Sequence, residues 1–244
     1  MILPKREDVY HKVQLFRLLT EILDSPIAKD VYFKGGSATT MLGFLDRFSV
    51  DLDFDLKLKA DKKVIDKNLR KIFQELDFKI SQKSNRSLFY LLKYPAKLCS
   101  RNTIKLSFID TALKSNTYSS FYLAEIDRFA FCQTSDTMFA NKLVAVTDRY
   151  KKHKMIAGRD IYDIHHFFLS GFKYNEAVIK ERTGKQPIKY FQDLIKFIDT
   201  KVTDKIVSED LSFLLTHEKF LSIRKVLKRE TLMFLKDEVK RTLE

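Results

Sequence analysis

Three aspartates at alternate positions, Asp51, Asp53 and Asp55, interleaved with Val50, Leu52 and Phe54, constrain this chain more than any other feature. Strict alternation marks a β-strand with one packed face and one charged face. Like charges on one strand face repel unless a cation compensates them. Carboxylate oxygens are also the ligands that Mg²⁺ prefers. A solvated edge strand has the same alternation, so the strand alone does not separate a structural element from a divalent-metal site.

The segment upstream tips the balance towards a site. Val31-Tyr32-Phe33 has the character of a short buried strand, and Lys34-Gly35-Gly36-Ser37 follows it directly. Two glycines permit a tight turn whose backbone N–H groups face an anion. Ser37 is then expected to open a helix, its hydroxyl either capping that helix or meeting a phosphate oxygen. A phosphate-cradling turn joined to metal-binding carboxylates points to nucleotidyl transfer. A P-loop is excluded, because Lys34 precedes the glycines instead of following them. An EF-hand starting at Asp51 is excluded too, because Leu56 and Lys62 stand where Gly and Glu are required.

Composition limits the class. With 244 residues, 45% of them hydrophobic and 21 of them Phe, there is material for one large core or two smaller ones. No apolar run reaches the roughly 20 residues that span a membrane, and residues 1–8 lack the apolar centre of a signal peptide. A cytoplasmic protein with no membrane partner is the expectation. Cys99 and Cys132 have neither metal-ligand nor disulfide spacing and read as buried thiols. A net charge of +13, spread along the whole chain, requires a basic folded surface suited to a polyanion such as RNA, or to an acidic protein.

Periodicity divides the chain in two. Residues 7–23 carry Val9, Val13, Phe16, Leu19 and Ile22 at helical spacing, and Pro26 ends that helix. Strand, glycine turn and helix occupy residues 31–45, the acidic strand 49–56, and a helix 61–76. Four further strands are expected at 78–80, 87–94, 103–109 and 118–123. Beyond about residue 135 the pattern is helical, with segments at 136–150, 159–170, 173–183, 187–200, 208–215 and 218–242. The expected organisation is an α/β (α+β) domain over 1–134 and a helical domain over 135–244, with a ligand cleft between them.

Two helical segments carry further polar residues. Lys142 sits in an apolar stretch, and Arg149, seven residues on, falls on nearly the same helix face. Arg159 lies four residues before Asp163, close enough for a helical ion pair. His165 and His166 point in different directions on one helix and read as packing or surface residues. Phe89, Tyr90 and Tyr94 read as core. Lys34 either approaches a phosphate or pairs with an acid beside its strand, and Arg47 has the same two options.

Four segments in order, Phe33-Lys34-Gly35-Gly36-Ser37-Ala38, residues 47–54, Phe139-Ala140-Asn141-Lys142-Leu143 with Asp148-Arg149, and Arg159-Asp160-Ile161-Tyr162-Asp163, resemble the successive motifs of the AbiEii/AbiGii-type nucleotidyltransferase toxins. The resemblance implies a DNA polymerase β-like nucleotidyltransferase core with a C-terminal helical bundle. It also implies a toxin partnered by a cognate antitoxin, in a toxin–antitoxin or phage-defence system. By the same resemblance Asp51 and Asp53 hold Mg²⁺, as two ions, while Gly36 and Ser37, with Lys34 and Arg47 nearby, hold a nucleoside triphosphate. Lys142 neutralises phosphate charge, and Asp160 completes the site from the helical domain.

Polymerase-type enzymes usually take a third carboxylate from a neighbouring strand, and here Ser107 stands at that place in Thr103-Ile104-Lys105-Leu106-Ser107-Phe108-Ile109-Asp110. Asp110 substitutes for it only if the strand bends or ends. The activity expected is transfer of a nucleoside monophosphate from a nucleoside triphosphate to RNA, in particular the tRNA acceptor end, with release of pyrophosphate. The alternatives are a protein or small-molecule acceptor, or a non-catalytic nucleotide- or RNA-binding module.

Overall fold

A computed structural model describes residues 1–84, 86–96, 101–110 and 113–243. Cys99, read above as a buried thiol, lies outside the described residues. The chain divides into two compact units, Met1–Thr134 and Ser135–Glu244. Among the described residues no helix is long and apolar enough to cross a membrane.

The first unit is built on a seven-stranded mixed sheet. Its strands are β1 (Val31–Lys34), β2 (Leu52–Leu56), β3 (Lys79–Lys83), β4 (Phe89–Lys93), β5 (Thr103–Ile109), β6 (Tyr118–Leu123) and β7 (Arg128–Gln133), arranged in the order β3-β4-β5-β2-β1-β7-β6. The acidic strand is therefore interior, antiparallel to β1 on one side and parallel to β5 on the other. Its apolar residues pack as the alternation requires: Phe54 stacks on Phe108 at 5.0 Å between ring centroids and lies 5.2 Å from Phe33. Tyr90 and Tyr94 are buried, in keeping with a core role.

Helix α1 (Asp8–Asp24) packs against β7, α2 (Gly35–Met41) against β1 and β2, and α3 (Lys62–Glu75) against β3. Asp61 caps α3, its carboxylate accepting from the backbone N–H groups of Lys63 and Val64 at 2.8 and 3.3 Å.

Two expectations change here. The buried stripe of α1 is Asp8, His11, Gln14, Leu15, Leu18, Leu19 and Ile22, whereas Val9 and Val13 are 45% and 46% exposed. Polar residues turn inward because buried partners await them, so hydrophobicity alone misplaces the face. Strand β7 was not anticipated. Its Phe129 and Phe131 point to solvent while Ala130 and Cys132 are buried, the reverse of the pattern that announces a strand. Burial pushes the Cys132 thiol up to about 12.

The second unit is helical: α4 (Ser135–His153), α5 (Gly158–Leu169), α6 (Glu176–Thr183), α7 (Pro187–Lys201), α8 (Asp204–Leu211), α9 (His217–Ile223) and α10 (Leu227–Leu243). The single helix expected over 218–242 is two. Helix α10 packs against α5 and α7, whereas α9 has no fully buried residue.

Candidate active site

Register brings the site together. Asp53 pairs with Lys34 of β1 and with Ser107 of β5, and Leu52 pairs with Leu106. Residues directly opposite on neighbouring strands share a face. Ser107 therefore reaches Asp53, its hydroxyl donating to Oδ1 at 2.5 Å. Lys105, two positions earlier on the same face of β5, places Nζ 3.0 Å from Asp51 Oδ2 and 4.0 Å from Asp53 Oδ1. Both carboxylates keep solvent access, with side chains 32% and 27% exposed.

The glycine turn closes on this pair. Gly35 has φ +77°, and a Cβ there would stand 2.7 Å from Asp53 Oδ2. A Cβ on Gly36 would lie 2.6 Å from Ser49 Oγ and 3.2 Å from Arg47 Nη2. Glycine is required at both positions because the turn abuts the groups that carry and flank the acids.

Helix α2 begins at Gly35, two residues before Ser37. Instead of capping it, the buried Ser37 hydroxyl donates to the Asp51 carbonyl and lies 3.1 Å from Ser49 Oγ. His11 Nε2 sits 3.0 Å from the carbonyl of Val50 and Nδ1 2.5 Å from the Tyr94 hydroxyl. Burial lowers the His11 pKa to about 4, so the ring is neutral and donates to Val50 from Nε2. The two carbonyls that immediately precede β2 are thus held by side chains where no strand ladder holds them. Arg47 is buried with Nη1 donating to the Phe48 carbonyl at 2.8 Å, and it stiffens the same segment.

The three alternating aspartates are not equivalent. Asp55 is only 1% exposed and accepts from Tyr118 Oη at 2.9 Å, Gln133 Nε2 at 2.8 Å and Lys34 Nζ. Lys34 resolves to the second of its two options, pairing with an acid across the strand. Burial and the neighbouring Asp55 raise the Tyr118 pKa. Asp110 stands beyond the end of β5, 43% exposed, with its carboxyl held below the usual range by Lys62. It does not reach the Asp51–Asp53 pair as a third acid, and the described residues contain no group of three or more His, Cys, Asp or Glu poised on one metal.

In the helical unit, Lys142 Nζ lies 2.7 Å from Asp163 Oδ2, and Arg149 Nε lies 2.8 Å from Asp160 Oδ2. These two pairs join α4 to α5, with Asp163 fully buried. Arg159 does not pair with Asp163 along its own helix. Its Nη1 and backbone N–H both reach Asp210 of α8, at 3.0 and 2.9 Å. His165 is buried 2.8 Å from Glu230, and burial lowers the pKa of both His165 and His166.

The family described as "Nucleotidyl transferase AbiEii toxin, Type IV TA system" matches residues 17–227, most of the chain. The chain belongs to the AbiEii nucleotidyltransferase toxin family. Solved structures agree in fold. A putative nucleotidyltransferase from H. pylori superposes with TM-score 0.64 at 20% identity, covering 98% of this chain and 99% of that one. JHP933 from Helicobacter pylori gives 0.59 at 19%, covering 99% and 97%. MenT4, the nucleotidyltransferase toxin Rv2826c from Mycobacterium tuberculosis H37Rv, gives 0.54 at 17%, covering 96% and 87%. No curated protein matches the chain in sequence. This AbiEii-family protein is therefore a nucleotidyltransferase whose substrate is a nucleoside triphosphate, and a Type IV toxin implies an antitoxin partner.

For a divalent cation the donor set fits in kind: two partly exposed carboxylates and a hydroxyl are hard oxygen ligands. On β5 an ammonium and a hydroxyl stand where a third acid was expected. Sequence reasoning passed over Lys105 and His11. The spacing of Lys105 and Ser107 already placed them on one face of β5, but only the register shows that this face meets Asp51 and Asp53.

Proposed function

We propose that this toxin transfers a nucleoside monophosphate from a nucleoside triphosphate to an RNA end, specifically the acceptor end of tRNA, with release of pyrophosphate. The observation that carries the reading is the partly exposed Asp51–Asp53 pair in contact with the Gly35-Gly36 turn, in a chain of the nucleotidyltransferase family. The acceptor oxygen bonds to the α-phosphorus, the bond to pyrophosphate breaks, and the hydroxyl proton leaves to water. Asp51 and Asp53 would hold Mg²⁺, which when bound stabilises charge on the phosphates. Asp53 is oriented by Ser107 and Asp51 by Lys105, so the pair is preorganised before substrate arrives. The Gly35-Gly36 turn packs directly against Asp53 and Ser49, so that its backbone, with no side chain between, borders the carboxylate pair where a phosphate chain would lie.

Ser37 and Arg47 support this site from below by holding residues 47–51. Lys34 acts through Asp55, and Lys142 and Asp160 act through their partners in the helical unit. RNA as acceptor is supported by the net charge of +13, which attracts a polyanion with steep salt dependence. A cognate antitoxin is the protein partner.

The test is to incubate the protein with Mg²⁺, each α-labelled nucleoside triphosphate in turn, and total tRNA, beside an Asp51→Ala/Asp53→Ala variant. Label on RNA from wild type alone is expected, with loss of orders of magnitude in the variant. Equal labelling by the variant would remove the carboxylates from the mechanism, and label on protein or small molecules alone would remove RNA.

A further inference from the structure

The cation nearest the carboxylate pair is part of the chain. Lys105 Nζ reaches both acids from β5, 3.0 Å from Asp51 Oδ2 and 4.0 Å from Asp53 Oδ1, and beside it the Ser107 hydroxyl occupies Asp53 Oδ1. Parallel register sets this exactly-opposed pairing: Leu52 stands opposite Leu106, and Asp53 opposite Ser107, so Asp51 and Lys105 fall beside one another. The β5 side of the pair therefore presents one positive charge and one hydroxyl donor. We infer that Lys105 stands in for one metal ion, so that the site takes a single divalent cation per chain.

The inference rests on the proposed nucleotidyl-transfer site and deepens it. Two divalent ions a few ångströms apart need a bridging acid to offset their repulsion, typically at about 3.5–4 Å separation. Asp51 and Asp53 carry two negative charges between them, and Lys105 already offsets one. A second divalent ion on the β5 side would meet the ammonium at contact distance, and no third carboxylate joins the pair among the described residues of the first unit. Asp110, the nearest acid in sequence, is committed to Lys62 beyond the strand end. Ser107 adds a lone pair but no charge, and its proton is given to Asp53. One ion has access on the solvent side of the pair, where both carboxylates are partly exposed. Lys105 is a positioning residue in this arrangement: it holds the acids together before the ion binds and limits how many ions follow.

Counting bound metal tests the inference without relying on turnover. Mn²⁺ is titrated into the full chain with one equivalent of an α,β-methylene nucleoside triphosphate at concentrations well above its dissociation constant, and free Mn²⁺ is read by electron paramagnetic resonance and corrected with a nucleotide-only titration. Wild type is expected to bind one Mn²⁺ per chain, and Lys105→Met/Ser107→Asp two. Lys105→Arg, which keeps the charge, is expected to remain at one. In the absence of nucleotide, Lys105→Met is expected to bind Mn²⁺ about tenfold tighter than wild type, since a like charge is removed beside the ion. Two ions on wild type would overturn the inference while leaving the proposed activity standing. Nucleotide binding with no Mn²⁺ at all would instead overturn the metal-dependent reading on which it rests. The wild-type stoichiometry needs no variant, so a misfolded double mutant leaves the decision intact.

Discussion

Acidification should loosen the active-site segment through His11. The ring is 1% exposed on α1, sharing the Tyr94 hydroxyl, itself 2.9 Å from the Arg101 carbonyl, and donating to the carbonyl of Val50, next to Asp51. Burial, reinforced by the Arg101 charge, lowers its pKa from 6.5 to about 4. A histidine whose folded pKa is depressed takes up its proton more readily when unfolded. Its contribution is therefore intact above about pH 6.5 and is lost progressively as pH falls towards 4. At ~1.4 kcal/mol for each tenfold change in proton affinity, the loss across that window is about 3 kcal/mol. That is a large share of the 5–15 kcal/mol by which domains are typically stable.

Chemical denaturation of wild type and His11→Gln at intervals from pH 7.5 to 4 measures it. Other groups titrate in both proteins, so the difference between the two stabilities isolates His11. Wild type should be the more stable at pH 7.5 and should lose about 3 kcal/mol relative to the variant by pH 4. Parallel stability curves would refute the reasoning, since they would mean that the ring protonates as easily folded as unfolded.

Two substitutions probe the neighbouring geometry. Gly36→Ala would put a methyl group 2.6 Å from Ser49 Oγ, so a thermal melt should show destabilisation of about 1–3 kcal/mol, together with weaker nucleotide binding by titration calorimetry. An unchanged melt would mean that Ser49 and Arg47 move aside freely. Asp55→Ala removes the buried partner of Lys34, Tyr118 and Gln133 and should cost about 3–5 kcal/mol in urea unfolding, whereas an exposed aspartate would cost under 1.

Much of the site was legible because its parts are local. The alternation around Asp53 and Asp55 marks a strand, which begins at Leu52 and leaves residues 49–51 of the expected span outside it, and the Gly35-Gly36 turn is short enough to read from residue type alone. Spacing along β5 likewise showed that Asp110 and Ser107 face opposite ways. The division of roles among the three aspartates was not legible. Whether an acid on a strand face is buried depends on strands distant in sequence, and Tyr118 and Gln133, which make Asp55 structural, arrive from β6 and β7. The same dependence hid the partner of Arg159, since Asp210 comes from α8 while the acid nearest along the helix was already engaged by Lys142.

By itself, then, the sequence determined the class of fold, the acidic strand beside a glycine turn, and the family motifs in their order. Those are properties of neighbours along the chain, where periodicity and backbone freedom act directly. Only the tertiary structure decided that β2 lies inside the sheet, that His11 and Ser37 hold its entry, and that Lys105 meets Asp51 and Asp53. Register between strands is chosen by the packing of whole faces, so no short stretch of sequence contains the information that sets it.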